Sequence, residues 1–160
     1  MKAQQDPAVI HSTFVLERSY PKPPERVFSA FANAPQKRRW FFSGRSSDLE
    51  KYELDFREGG SEHAYMRFNN NSRFPGVPMI TDTTYLDITP NRRIVACSTM
   101  TIGENRVSVA LVTFELLPTD QGTDLICTHQ GAFFEGSGGP EMREEGWRKI
   151  FENLDTEMAS

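Results

Sequence analysis

Few residues in this sequence have types and spacing that could do chemistry, and His129 stands first among them. It falls in phase with Leu125 and Cys127, the apolar set of a strand-like segment, so its imidazole is expected on the inner side of that strand. There it could orient a ligand, act as a general base, or serve as a buried polar anchor. His11, near the N-terminus, and His63, out of phase with Ala64, are expected at the surface. Three dispersed histidines do not make a metal site, and the neighbouring pair Cys127 and His129 has no partner ligands in view. No metal is therefore expected. Cys97 and Cys127 match neither a close-spaced redox pair nor a zinc ligand set, so both are expected as free thiols. Neither G-x-S-x-G nor an activated Cys–His pair supports nucleophilic catalysis. The stretch EGSGGP, from Glu135 to Pro140, lacks the Lys-Ser/Thr ending of a phosphate-binding loop and reads as a flexible entry to a helix. No cofactor motif is present.

A second cluster is KRRWFFSG, from Lys37 to Gly44, in which three cations run into three aromatics. It could be a nucleic-acid patch, a membrane-surface anchor or part of a pocket wall. The 160-residue chain carries a net charge of −4, which argues against nucleic acid as a partner. Lys37, Arg38 and Arg39 are expected to coat the solvent side, with at least one of Trp40, Phe41 and Phe42 buried, because exposing all three would leave a sticky patch. No apolar run approaches the roughly 18 residues of a membrane span, and the N-terminus lacks the apolar block of a signal peptide. Membrane insertion is not expected, and a cytoplasmic location is.

The elements that must position these residues follow from periodicity. At 38% hydrophobic and 25% charged, the composition suits one globular domain over residues 9–160, after a polar tail over 1–8. Alternation from Val9 to Arg18, with Ile10, Phe14 and Leu16 on one side, predicts a first strand. The prolines of YPKPPERVFSAF then change the period. A short helix is expected from Pro24 to Ala32, and a second helical turn opens at Pro35 and carries Lys37 to Trp40. From Tyr52 to Phe68 a hairpin is expected around Gly59-Gly60, with Tyr52, Leu54 and Phe56 on one face and Ala64, Met66 and Phe68 on the return. Asp55 and Arg57 fall on the outer phase and could salt-bridge to a neighbouring strand. Strands follow at about Ile80 to Ile88, Arg93 to Ile102, Arg106 to Leu117, and Thr123 to Phe134. After Pro140 the period becomes helical, and Trp147, Ile150, Phe151, Leu154 and Met158 form one stripe. A meander of strands and one amphipathic helix must bury their apolar faces against each other. A curved sheet wrapped around the helix is the simplest solution, and ligands tend to bind in the space between.

The segments YPKPPERVFSAF, PQKRRWF, LDFREGG, YLDITPNRRIV, VTFELLPTDQGTDLICTHQGAF and GWRKIFENL, in this order, resemble the SRPBCC (START-like) superfamily. Within it, the chain most resembles the branch named for homologues of the activator of the heat-shock protein ninety ATPase. Asp55-x-Arg57-x-Gly59-Gly60 is the most specific piece, and the resemblance runs from about Phe14 to Leu154. It implies an α+β helix-grip fold: a curved seven-stranded antiparallel sheet around a long C-terminal helix over an internal cavity, with two short helices after the first strand. The superfamily includes carriers of hydrophobic ligands, aromatase/cyclase enzymes and chaperone activators, so fold transfers better than function.

One departure is informative. The strand IVACSTMTI carries Ala96 and Ser98 where bulky aromatics are common in the family. With Ile94, Ala96, Ser98 and Met100 facing inward, the cavity would stand open, unless Phe14 or Phe134 fills the gap. Met66, Met100 and Met158 would give an adaptable lining. Trp40 and its neighbours would form the inner rim of the cavity mouth. The expected function is binding of an apolar or aromatic small molecule, with walls from Trp40, Phe56, Met66, Ser98 and Met100, and from Phe114, His129, Trp147, Phe151 and Leu154. Two alternatives stand beside it. One is a protein-interaction module, either chaperone-activator-like or a homodimer, and the other a cyclase- or hydratase-type enzyme using His129.

Overall fold

The computed structural model describes residues 8–160, so the expected tail over 1–8 lies outside the described residues except for Ala8. Seven strands and three helices follow in the order β1 (Ile10–Tyr20), α1 (Pro24–Ala32), α2 (Ala34–Phe41), β2 (Ser47–Leu54), β3 (Ser61–Phe68), β4 (Pro78–Thr89), β5 (Arg93–Ile102), β6 (Asn105–Thr119), β7 (Gly122–Phe133) and α3 (Pro140–Ala159). The strands form one antiparallel sheet in the order β1-β7-β6-β5-β4-β3-β2. Strands β2 to β7 are a meander, as their short polar turns require. Only β1 departs from sequence neighbours, pairing with β7 over its full length from Ile10 opposite Phe133 to Tyr20 opposite Thr123.

Helix α3 lies against the sheet through the apolar stripe read from its period. Phe151, Leu154 and Met158 are buried, while Trp147 and Ile150 are partly covered. Burying each such side chain contributes about 1.5–3 kcal/mol. At its C-terminal end α3 is fixed to β1, where the Tyr20 hydroxyl donates to Asp155 at 2.7 Å and Arg18 pairs with the same carboxylate at 3.3 Å. To α2 it is fixed through Arg39 and Glu157 at 2.6 Å and through the Asn153 amide, which donates to the Trp40 carbonyl at 3.1 Å.

Several boundaries and placements differ from expectation. The hairpin strand β2 starts at Ser47 and ends at Leu54, so Phe56 lies in the turn and not on a strand. Asp55 and Arg57 pair with each other at 2.9 Å in that exposed turn, not with a neighbouring strand. The turn is held by close backbone contacts. A Cβ on Gly60 would collide with the Asp55 carbonyl, and Gly59 sits at φ 79°, so both positions favour glycine. The turn is also stitched to β4: Gly59 N–H donates to the Tyr85 carbonyl at 2.8 Å and Tyr85 N–H to the Gly60 carbonyl at 3.0 Å. Ile10 lies opposite Phe133 on the same face as Phe14 and Leu16 but is exposed at the free end of β1. His11 is exposed, and His63 is half-exposed with its Nδ1 at 2.5 Å from Asp82. Cys97 and Cys127 are free thiols on strands separated by β6. Burial pushes the Cys127 thiol up to about 12.

Candidate functional site

Three rows of side chains cross the concave face of the sheet. In one, Phe14, His129, Val112, Ala96 and Tyr85 are successive cross-strand partners. In the next, Gly131, Ala110, Ser98, Thr83 and Glu62 align, and in the third Phe133, Ser108, Met100, Thr81 and Ala64. The middle row holds only small side chains on β7, β6, β5 and β4. A trough therefore runs beneath α3, leaving a cavity of about 380 Å³ between sheet and helix. That volume is within the range of small-molecule sites.

Its floor is formed by Ala96, Ala110, Val112, Ser98, Thr81 and Thr83, and its roof by Met142, Gly146, Trp147 and Ile150 of α3. Phe41 and Phe42 of the α2 end contribute one side wall, with Met66, Met79 and Met100 along the sheet. Met142, at the rim, is 62% exposed. The methionine lining differs from expectation: Met158 is buried in the core under the far end of α3, and its place is taken by Met79 and Met142. Neither Phe14 nor Phe134 fills the gap left by the small residues, because neither lines the cavity.

Of the residues expected to form the walls, Met66, Ser98, Met100, Phe114, His129 and Trp147 do line the cavity. Trp40, Phe56, Phe151 and Leu154 do not. Trp40 is 1% exposed, with its indole N–H donating to the Ala30 carbonyl at 2.9 Å and its ring edge-on to Phe31 at 5.0 Å. It is a core residue under the α1–α2 corner, and the aromatics that reach the cavity are the two that follow it. Phe56 packs edge-on to Phe28 and Tyr85, outside the trough. Phe151 and Leu154 close the core one and two turns further along α3 than Trp147, beyond the cavity's end.

The larger correction concerns Lys37. It does not coat the solvent side with Arg38 and Arg39: it is 5% exposed and lines the cavity. Its ammonium pairs with the buried Glu62 carboxylate at 2.6 Å and lies 3.4 Å from the Tyr85 hydroxyl. Tyr52 donates to the same carboxylate at 2.7 Å. Burial disfavours the Lys37 ammonium, but the Glu62 charge and the Tyr85 hydroxyl outweigh it, and its pKa lies above the ordinary lysine value. Burial also raises Tyr52 well above the tyrosine range and Tyr85 to about 12, so both remain protonated donors. The signal for this cluster was in the sequence. Glu62 is in phase with Ala64 and Met66, so a strand that buries them must bury a carboxylate too, and that carboxylate needs a cation.

A second polar group approaches from α3. The Arg143 guanidinium donates to Ser108 Oγ at 2.8 Å, contacts Met100 Sδ at 3.2 Å and lies over the Phe133 ring at 5.2 Å. Nearby, His129 is 1% exposed, stacked on Phe14 with ring centroids 4.6 Å apart and edge-on to Trp147 at 5.9 Å. Its Nδ1 has no hydrogen-bond partner. Burial, with the Arg143 charge adding to it, lowers the imidazole to about 4. At neutral pH it is uncharged and a weak base, and no carboxylate among the described residues orients it. Among the described residues no group of His, Cys, Asp and Glu could hold a metal ion. No described helix is long and apolar enough to cross a membrane.

The chain is similar to other proteins over almost its whole length. The family described as Activator of Hsp90 ATPase homolog 1-like protein matches residues 21–159. The protein Mll3558 from Rhizobium loti is 42% identical, covering 93% of this chain and 98% of its own, with a TM-score of 0.82. An uncharacterised protein from Rhizobium leguminosarum is 32% identical, covering 94% of this chain and 96% of its own, with a TM-score of 0.86. The fold extends to an AHSA1-like protein from Aeromonas hydrophila at 17% identity, with 92% of each chain covered and a TM-score of 0.66. No curated protein matches the chain.

Proposed function

The chain belongs to the Activator of Hsp90 ATPase homolog 1-like family, and from that premise we propose that it binds an apolar or aromatic small molecule in the cavity between sheet and α3. The observation that carries this reading is the row of small residues, Ala110, Ser98 and Thr83, opposite Trp147, which leaves about 380 Å³ unfilled. A core of this size would ordinarily close over such a gap, because unfilled apolar volume is destabilising. The lining is apolar except for Lys37, Glu62, Arg143, His129 and a few hydroxyls, which suits a ligand that is mostly hydrocarbon. Methionines at 66, 79, 100 and 142 give walls that adjust to ligand shape.

Native mass spectrometry of the protein purified from its own host tests the proposal, with a retained small molecule as the expected result. In parallel, phenylpentanol is titrated into the wild type and into Ala110→Phe, whose added ring occupies the trough. Binding by the wild type that the substitution abolishes supports the reading. An empty protein that takes up no phenylpentanol, or equal uptake by a folded Ala110→Phe variant, overturns it.

A further inference from the structure

Three charged side chains line the cavity: Lys37, Glu62 and Arg143. The first two cancel as a buried pair at 2.6 Å. Arg143 has no such partner. Its contacts are a serine hydroxyl, a thioether and an aromatic face, all on one side of the guanidinium, and it makes no ion pair among the described residues. Burial alone pulls it down to about 10, with no carboxylate to offset it. A half-buried cation without a counter-charge is costly to the fold and is tolerated where something else supplies the charge. Of the five guanidinium N–H donors only those on Nη2 are engaged, which leaves Nε and Nη1 available. Beside it, His129 lines the cavity, its ring 1% exposed and its Nδ1 enclosed without a partner. An arginine fork and an imidazole ring lining one apolar cavity are complementary to a planar anion attached to a hydrocarbon body.

We infer that the ligand is an apolar monocarboxylate, whose carboxylate is held by Arg143 and His129 while its hydrocarbon lies along the row of small residues. This rests on the cavity being a binding site. The carboxylate would accept from the free guanidinium donors, in the bidentate geometry that arginine favours, and from the His129 ring N–H in the tautomer that donates. Lys37 cannot take this role, because Glu62 already neutralises it.

The test compares phenylpentanoate with phenylpentanol, which share a hydrocarbon body and differ in charge, by calorimetric titration at pH 7. Proteins are the wild type, Arg143→Met, Arg143→Lys and Arg148→Met, the last removing a solvent-side cation that pairs with Glu144. Folding of each is checked by thermal unfolding. The wild type and Arg148→Met are expected to bind the acid at least about tenfold more tightly than the alcohol, the range of a charge-assisted hydrogen bond. Arg143→Met is expected to abolish that preference by weakening the acid alone, and Arg143→Lys to keep part of it. Equal affinity of the wild type for acid and alcohol overturns the carboxylate assignment and leaves the cavity reading standing. So does a preference for the acid that survives in folded Arg143→Met. Failure of the wild type to bind either compound overturns both.

Discussion

His129 and Lys37 carry the two charges or potential charges whose placement matters most, and each makes a measurable statement about stability. The imidazole is lowered to about 4 in the fold against an ordinary value of 6.5. The unfolded chain therefore binds more protons between those values, and its stabilising effect is complete above about 6.5 and lost as pH falls through 4. Urea unfolding measured from pH 7 to pH 4 is expected to lose on the order of 3 kcal/mol from this residue. His129→Leu should flatten that part of the profile, and an unchanged slope would show that other groups cause it. For Lys37, removing one member of a buried pair costs about 3–5 kcal/mol, because the other charge is stranded. Lys37→Met is expected to lose that much, and Lys37→Met combined with Glu62→Leu to recover most of it. A double-mutant cycle in urea reads the coupling directly. The sequence placed Lys37 on the solvent side with Arg38 and Arg39. What draws it inward is Glu62, whose inward phase follows from Ala64 and Met66 and whose buried carboxylate needs a cation.

At the scale of elements, the signals of period and punctuation locate all seven strands and three helices, because alternation, proline and glycine act over a few residues. They fail where an element is defined by its partner. Strand β2 extends back to Ser47 because β3 pairs with it there, and Leu49 and Lys51 flank an irregular register that no periodicity announces. The Asp55-x-Arg57-x-Gly59-Gly60 signature belongs to the turn that joins β2 and β3. Its structural role is to seat that turn on Tyr85, which in turn contacts Lys37. Gly60→Ala is expected to destabilise the protein by about 2 kcal/mol or more, since a Cβ there meets backbone that cannot move aside. A thermal unfolding midpoint within one degree of the wild type would refute this. Along α3 the apolar stripe is uniform in sequence but divided in space. Trp147 faces the cavity, whereas Phe151 and Leu154 face the filled core, because the small-residue row of the sheet lies under the first half of the helix only.

The whole molecule creates the cavity, since its walls come from α2, five strands and α3, and no segment contains it alone. Ligand and fold are then linked by mass action. Phenylpentanoate at about a hundred times its dissociation constant is expected to stabilise the protein by about 3 kcal/mol, and to raise the midpoint by roughly 5–10 °C. Differential scanning fluorimetry checks this, and no shift at a concentration shown by calorimetry to saturate the site would contradict the linkage. The amino-acid sequence by itself determined the α+β architecture, the inward placement of Ser98, Met100, Phe114 and His129, and the small residues that leave room beneath the helix. Those follow from short-range pattern, because a strand's faces alternate whatever it pairs with. Tertiary structure alone decided which inward residues meet open space and which meet one another. Trp40 closes the core, Lys37 finds Glu62 across the fold, and Arg143 arrives beside His129 without a counter-charge. Each depends on where a distant segment packs, and nothing in the local spacing of residues encodes that distance.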